Sequence, residues 1–384
     1  MSKQNENRNL ISDKFPAVGN IPEAQAPFYF GTAQPMPPRA RIARILSGQP
    51  IDRPAYSAWG HVMNLDDRIA SAFARATIDL ENLFQFDFIK LMSNPFYMLE
   101  DMGITILAPS RYDELVRRDS DRLPIRIPED WTRIPFPAVG KGALAREVEA
   151  VKRVADYYQG QVPILPTVFT PLNWVQYLAV SSGKIEEECS LHGSHTPYLE
   201  NYMTKNEPYI RPVLEQFCEI TIDFMQALLD AGADGFFYCS EHVDPFWSCR
   251  EAFDSFEGDY DRRILDSAAS RSFLTIMHIC GRSGLCPEWI TDYPISGISW
   301  EDQSPDNPSM ADMRALTDKI LVGGLDHHTD LKGTDEDAIR RTITEKLKDA
   351  VSAAGDRLIF SGGCAWEIED TCRFGLWRDL MNGR

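Results

Sequence analysis

Three residues in this 384-residue chain have the chemistry of metal ligands. His278 and Cys280 stand two apart at the end of the apolar run 273–279, and Cys364 follows two glycines at the end of the run 357–363. Side chains at i and i+2 on a strand share a face, so His278 and Cys280 can enter one pocket. Imidazole plus two thiolates is a borderline-to-soft donor set that suits zinc. Three protein ligands with a fourth position open describe a catalytic zinc site, and a thiol held there is a thiolate nucleophile. A lone His-x-Cys has little specificity, and a chain with eight cysteines buries several as small hydrophobes. Gly362 and Gly363 sharpen the reading, since two glycines before a cysteine suggest backbone turned tightly to present its side chain.

Those residues need elements to position them. Strand-like runs recur at 53–59, 87–92, 162–169, 234–239, 273–279, 297–300, 319–325 and 357–363. Between them lie stretches with apolar residues at i, i+3 and i+4, such as 63–84, 143–160, 207–233 and 333–355. Gly232 and Gly355 mark two helix ends, and Thr334-Asp335 marks a start. Eight buried strands alternating with helices predict an α/β chain folded as a single (β/α)8 TIM barrel. A doubly wound sheet is the alternative, but no G-x-G-x-x-G follows the first strand. Residues 1–38, rich in Asn, Pro, Gln and Ala, read as an extended N-terminal arm, 39–384 as the barrel, and 183–206 as a long excursion that could act as a lid.

In such a barrel the active site is built at the C-terminal ends of the strands. In chain order those ends carry His61; Ser93 and Asn94; Thr170 and Asn173; Cys239, Ser240, Glu241 and His242; His278 and Cys280; Glu301 and Asp302; Asp326, His327 and His328; and Cys364. His61, Asn94, Glu301 and Asp326 are the candidates for catalysis. Glu241, His242, Thr170, Asn173 and His327 are the candidates for holding substrate. Adjacent His327 and His328 must face different ways, so at most one points inward. Asp326 to His328 are placed to orient substrate or to back His278. Phe96, Phe169 and Trp300 would exclude water.

The formal charge of −18 argues against binding phosphate backbones, so no nucleic-acid partner is expected. No run approaches the length of a membrane span, the N-terminus lacks an apolar signal core, and the cysteines are too scattered for a disulfide framework. A reducing, cytoplasmic compartment is expected. The oligomeric state stays open between monomer and homodimer.

The segments "RARIARILSGQPIDRPAYSAWG", "FDFIKLMSNPFYMLEDMG", "LLDAGADGFFYCSE", "MHICG", "ISWED", "ILVGGLD" and "FSGGCAWEIEDT", in that order and spacing, resemble the uroporphyrinogen decarboxylase superfamily over roughly residues 38–384. The resemblance implies a (β/α)8 barrel. Its cofactor-free decarboxylases carry arginines after the first strand, an aspartate after the second and a histidine near the last. Here "SAWGHVMN", Ser93-Asn94 and Cys364 stand at those places. The zinc-dependent methyltransferase branch, similar to the methylcobamide:coenzyme M enzymes, carries His-x-Cys and a distant Cys, matched by His278, Cys280 and Cys364. That branch implies zinc as cofactor and Glu301 as a displaceable fourth ligand. It also implies methylcobalamin as donor, on a separate corrinoid protein because no room follows Cys364. The acceptor would be a thiol such as coenzyme M or homocysteine, or tetrahydrofolate. Two alternatives remain at this stage: a cofactor-free decarboxylase or lyase acting on another carboxylic acid, and a non-catalytic corrinoid- or tetrapyrrole-binding partner.

Overall fold

The structure, a computed structural model, describes residues 35–61, 65–106, 116–117, 124–184, 196–245, 247–282 and 284–383. Eight parallel strands form one sheet: β1 Ala55–Tyr56, β2 Ile89–Leu91, β3 Ile164–Phe169, β4 Gly235–Ser240, β5 Leu274–Ile279, β6 Gly297–Trp300, β7 Ile320–Leu325 and β8 Leu358–Gly362. The order is β1-β8-β7-β6-β5-β4-β3-β2. Each matches a run read from the sequence, β4 extending one residue past its run to Ser240. Every residue in all eight strands is buried, which is why these runs are continuously apolar rather than alternating.

The sheet curls until its edge strands approach. Asp87 donates its N–H to Tyr56 O at 2.9 Å, and Ser57 Oγ donates to Phe88 O at 3.0 Å. Asp87 then pins the foot of this seam. Its fully buried carboxylate accepts the Tyr56 N–H at 2.9 Å and Arg53 Nη1 at 2.7 Å, and also pairs with Arg41 on the first helix, α1 (Pro38–Leu46). Arg41 is itself buried and pairs with Asp52 at 2.7 Å. Removing one member of such a buried set leaves a charge stranded, which costs about 3–5 kcal/mol. The architecture is thus TIM-barrel-like.

The helices sit on the outside: α2 Ala70–Phe84, α3 Gly142–Tyr158, α4 Pro171–Ser181, α5 Thr196–Lys205, α6 Glu207–Asp230, α7 Asp259–Ala269, α8 Met310–Leu316, α9 Glu336–Ala354 and α10 Phe374–Met381. The end signals behave as expected for α9: Asp335 accepts the Ala338 N–H at 3.0 Å, and Gly355 closes it at φ +65°. Gly232, at φ +104°, lies one residue beyond the cap of α6. The excursion 183–206 is described only at its two ends. Its last part is α5, which buries Leu199 and Met203, while 185–195, like arm residues 1–34, lie outside the described residues. Among the described residues no helix is long and apolar enough to cross a membrane.

Candidate metal centre

Parallel pairing brings the strand ends to one mouth. His278 is opposite Cys239 on β4 and Ser299 on β6. Cys280 is the first residue past β5, held by its N–H on Ser240 O at 2.8 Å. Cys364 follows β8, and its Sγ lies 4.0 Å from Cys280 Sγ. One ligand atom from each of His278, Cys280 and Cys364 lies within 4.8 Å of the others. Tetrahedral zinc with Zn–S near 2.3 Å sets sulfurs about 3.8 Å apart, so the thiols stand at nearly the required separation. His278 is 3% exposed, and its Nε2 is buried with no hydrogen-bond partner among the described residues. Its Nδ1 lies 3.2 Å from Ser299 Oγ, the bond behind a ligand that fixes which nitrogen faces the metal. An orphaned buried nitrogen beside two thiols fits a zinc ion.

The two thiols perturb each other in opposite directions. The hydrogen bond from Cys280, then the neighbouring His278 and His327, hold Cys364 well below the ordinary thiol range. The hydrogen bond to Cys364 and then burial push Cys280 well above it. A cation bound between the two thiols would displace their protons.

Residues 37–369 match the uroporphyrinogen decarboxylase (URO-D) family. The chain belongs to the URO-D family. It is similar to the methylcobamide:CoM methyltransferase MtbA of Methanosarcina acetivorans, 23% identical over 219 residues, covering 54% of this chain and 56% of that protein. MtbA of Methanosarcina mazei is 22% identical over 236 residues, covering 58% and 60%. The chain thus spans little more than half the length of these curated relatives. Among solved structures, a methyltransferase from Methanosarcina mazei superposes with TM-score 0.66 at 18% identity, covering 90% of this chain and 99% of that one. A B12-independent methionine synthase from Shewanella sp. W3-18-1 gives 0.50 at 15% identity, covering 86% and 95%. At these identities the structural likeness is one of fold.

On this URO-D scaffold the acidic pair after β6 divides its labour. Asp302 turns away and accepts the Gly324 N–H at 2.9 Å; a Cβ on Gly323 would lie 2.5 Å from its Oδ1. Glu301 turns to the mouth, 4% exposed, and burial and then Cys364 push its carboxyl up to about 8. Gly363 is what admits it, since a Cβ there would lie 2.7 Å from Glu301 Cα. The two glycines before Cys364 therefore serve close approach, not the tight turn expected of them: neither has a positive φ, and a Cβ on Gly362 would lie 2.7 Å from Trp366 Nε1.

Glu301 also forms a second potential cluster with His327 and His328. The expectation that at most one of these histidines points inward fits their burial, 7% exposed for His327 against a 45% exposed side chain for His328. Burial pushes the His327 imidazole down to about 4. Arg282 occupies this cluster, with Nη1 2.8 Å from Glu301 Oε2 and Nη2 3.9 Å from Asp326 Oδ2. Asp326 accepts the His328 N–H at 2.8 Å. Contrary to expectation, the partner of His278 is Ser299 and not a residue of this loop.

The other expected residues fall into two groups. Thr170, Asn173 and Glu241 join through Tyr177. Thr170 Oγ1 donates to Asn173 Oδ1 at 2.7 Å, Asn173 Nδ2 donates to the Tyr177 hydroxyl at 3.3 Å, and that hydroxyl donates to Glu241 Oε1 at 2.5 Å. Burial raises Glu241 to about 7, and Cys364 adds to it. His61 holds its Nδ1 2.9 Å from Ser93 O, and burial lowers it to about 4. By contrast Asn94 is committed to scaffolding: it donates to Asp67 at 3.0 Å and to Glu100 at 3.3 Å and accepts the Phe96 N–H at 3.0 Å. His242 lies between Gln176 and Glu257, its Nδ1 3.0 Å from the latter. Phe96 stands edge-on to Tyr177 at 4.8 Å, and Phe169 to Trp174 at 5.5 Å. Trp300, fully buried, donates to Pro308 O at 2.8 Å and is core.

Sequence reasoning passed over Ser299, Tyr177, Arg282 and Lys90. Lys90 is the most unusual. It is 8% exposed on β2, with Nζ 3.9 Å from the Phe237 ring centre and 4.9 Å from that of Trp59. The Phe237 ring in turn lies 5.7 Å from His278. Burial lowers the Lys90 amine, while Cys239, Cys364 and Cys280 act to raise it. A lysine inside the apolar run "DFIKLM" was the available signal.

Proposed function

We propose that this chain is a zinc-dependent methyltransferase in which His278, Cys280 and Cys364 hold the metal, on a closed (β/α)8 barrel. The methyl group would pass from a corrinoid, carried as methylcobalamin on a separate corrinoid protein, to a thiol. The observation that carries the reading is the convergence of two thiols and an unpartnered imidazole nitrogen at the mouth. The URO-D membership and the names of the curated relatives support it.

Zinc held there would supply Lewis acidity that turns an acceptor thiol into a thiolate at neutral pH. The chain's own residues do the rest. Ser299 fixes the His278 ring, and the 4.0 Å thiol pair sets the donor geometry. Glu301, admitted by Gly363, is the displaceable fourth donor. Glu241, aimed by Tyr177, and His327, kept neutral by burial, line the acceptor's side. Asp326 steadies the loop that carries His327. Lys90, packed on the Phe237 ring, is lowered by burial but lies near enough for Cys239, Cys364 and Cys280 to raise its amine. The soft donor set favours a thiol acceptor, such as coenzyme M or homocysteine, over tetrahydrofolate.

The test is metal content and thiol binding of protein purified without added zinc, beside Cys364→Ala. About one zinc per chain, lost in the variant together with thiol binding, is expected. A metal-free wild type with full transfer activity would overturn the reading.

A further inference from the structure

We infer that Arg282 is the resting place of the Glu301 carboxylate in the thiol-accepting state: it takes the carboxylate when a thiol displaces it. This rests on the zinc reading above and adds a residue that works through Glu301, a positioning residue. Glu301 is 4% exposed, and a carboxylate released at such a site without a partner carries a large desolvation penalty. Displacement by a thiol is favourable only if the carboxylate has somewhere to go. Arg282 is within reach, its Nη1 already 2.8 Å from Glu301 Oε2. On the other side, the missing side chain of Gly363 brings the Glu301 backbone against the segment carrying Cys364. Glu301 therefore meets the guanidinium through its carboxylate and the segment carrying Cys364 through its backbone.

The surroundings keep both ends of this movement in register. Arg282 is joined to Cys280 through Gly281 alone, which sits at φ +143°, a conformation that side chains rarely adopt. Asn307 Nδ2 donates to Gly281 O at 2.8 Å and to Glu301 O at 3.0 Å, tying the two backbones together. Ser304 Oγ donates to Arg282 O at 3.3 Å. Asp326, 3.9 Å from Nη2, keeps the guanidinium near the mouth when Glu301 is elsewhere. The exchange is balanced: the carboxylate leaves as an anion, the thiol enters as a thiolate, and the thiol proton goes to solvent. Charge at the site is unchanged.

The experiment uses the full chain loaded with cobalt(II), whose visible bands report the donors around it, titrated with mercaptoethanol. In Arg282→Gln the carboxylate has lost its resting place, so cobalt is held at least as tightly while the apparent Kd for the thiol rises about ten-fold or more. Arg282→Lys restores most of the thiol affinity. In a Glu301→Gln background the Arg282→Gln change loses its effect, because no carboxylate remains to be received. Equal thiol affinity in wild type and Arg282→Gln, or an effect of the same size with and without the Glu301 carboxylate, overturns the inference while leaving the metal reading intact. A wild-type chain that takes up no cobalt overturns both.

Discussion

Two clusters of metal-ligating side chains lie side by side at the mouth, and they are built differently. The first, His278, Cys280 and Cys364, joins the ends of two strands, β5 and β8, so backbone hydrogen bonding fixes its geometry. It leaves one imidazole nitrogen without a partner among the described residues. The second, Glu301, His327 and His328, depends on a loop residue whose side chain is nearly half exposed, and a guanidinium already occupies it. Three potential ligands within 4.8 Å of one another are therefore not enough to define a metal site. An unfilled donor distinguishes the first cluster from the second, whose carboxylate a guanidinium already holds.

The largest expected effect tests that distinction directly. Cys364→Ala should weaken zinc binding, measured by chelator competition, by more than the 10–100-fold that loss of a group behind a ligand brings about. If zinc stays while His328→Ala loses it, the two clusters have exchanged roles.

Ser299→Ala removes the hydrogen bond to His278 Nδ1 but no ligand. It should lower zinc affinity by about 10–100-fold in the same assay. No change would mean that packing against Phe237, not Ser299, orients the ring.

A smaller effect concerns pH. The buried His327 is lowered to about 4, whereas in the unfolded chain it takes up a proton below about 6.5. Between these values the unfolded chain binds more protons, so stability rises with pH across the window and is lost as pH falls. His61, also lowered to about 4, acts with the same sign. Urea midpoints of the metal-free protein between pH 4 and 6.5 should show a shallower slope in His327→Gln. Added zinc should leave this difference between wild type and variant in place; if zinc abolishes it, His327 is itself a ligand.

The smallest effect is expected from His328→Ala at the half-exposed rim: zinc affinity unchanged, and stability within about 0.5 kcal/mol by urea denaturation.

Much of this arrangement was legible before any coordinates. Buried parallel strands read as continuous apolar runs, so all eight were visible, and a period of two placed His278 and Cys280 on one face. Which polar strand-end residues turn inward was not legible, because local spacing does not encode it. Asn94 and His242 had the right residue types and positions, yet Asp67, Glu100, Gln176 and Glu257 claim them. The choice between Glu301 and Asp302 hinged on a backbone N–H one strand position from the end of β7. The Gly362-Gly363 signal was real but its cause was misread, because a close approach between elements far apart in sequence leaves no mark in either one alone.

Gly363 carries a consequence for anyone wishing to redesign this mouth. Its bare backbone makes Cys364 and Glu301 a single mechanical piece, although 63 positions separate the numbers 301 and 364. Altering the rim around His328 is a local edit, whereas a side chain at 363 would push apart the two β-α junctions carrying a thiol and its neighbouring carboxylate. The rim tolerates change, while the glycine is the mortise into which the rest of the joint is cut.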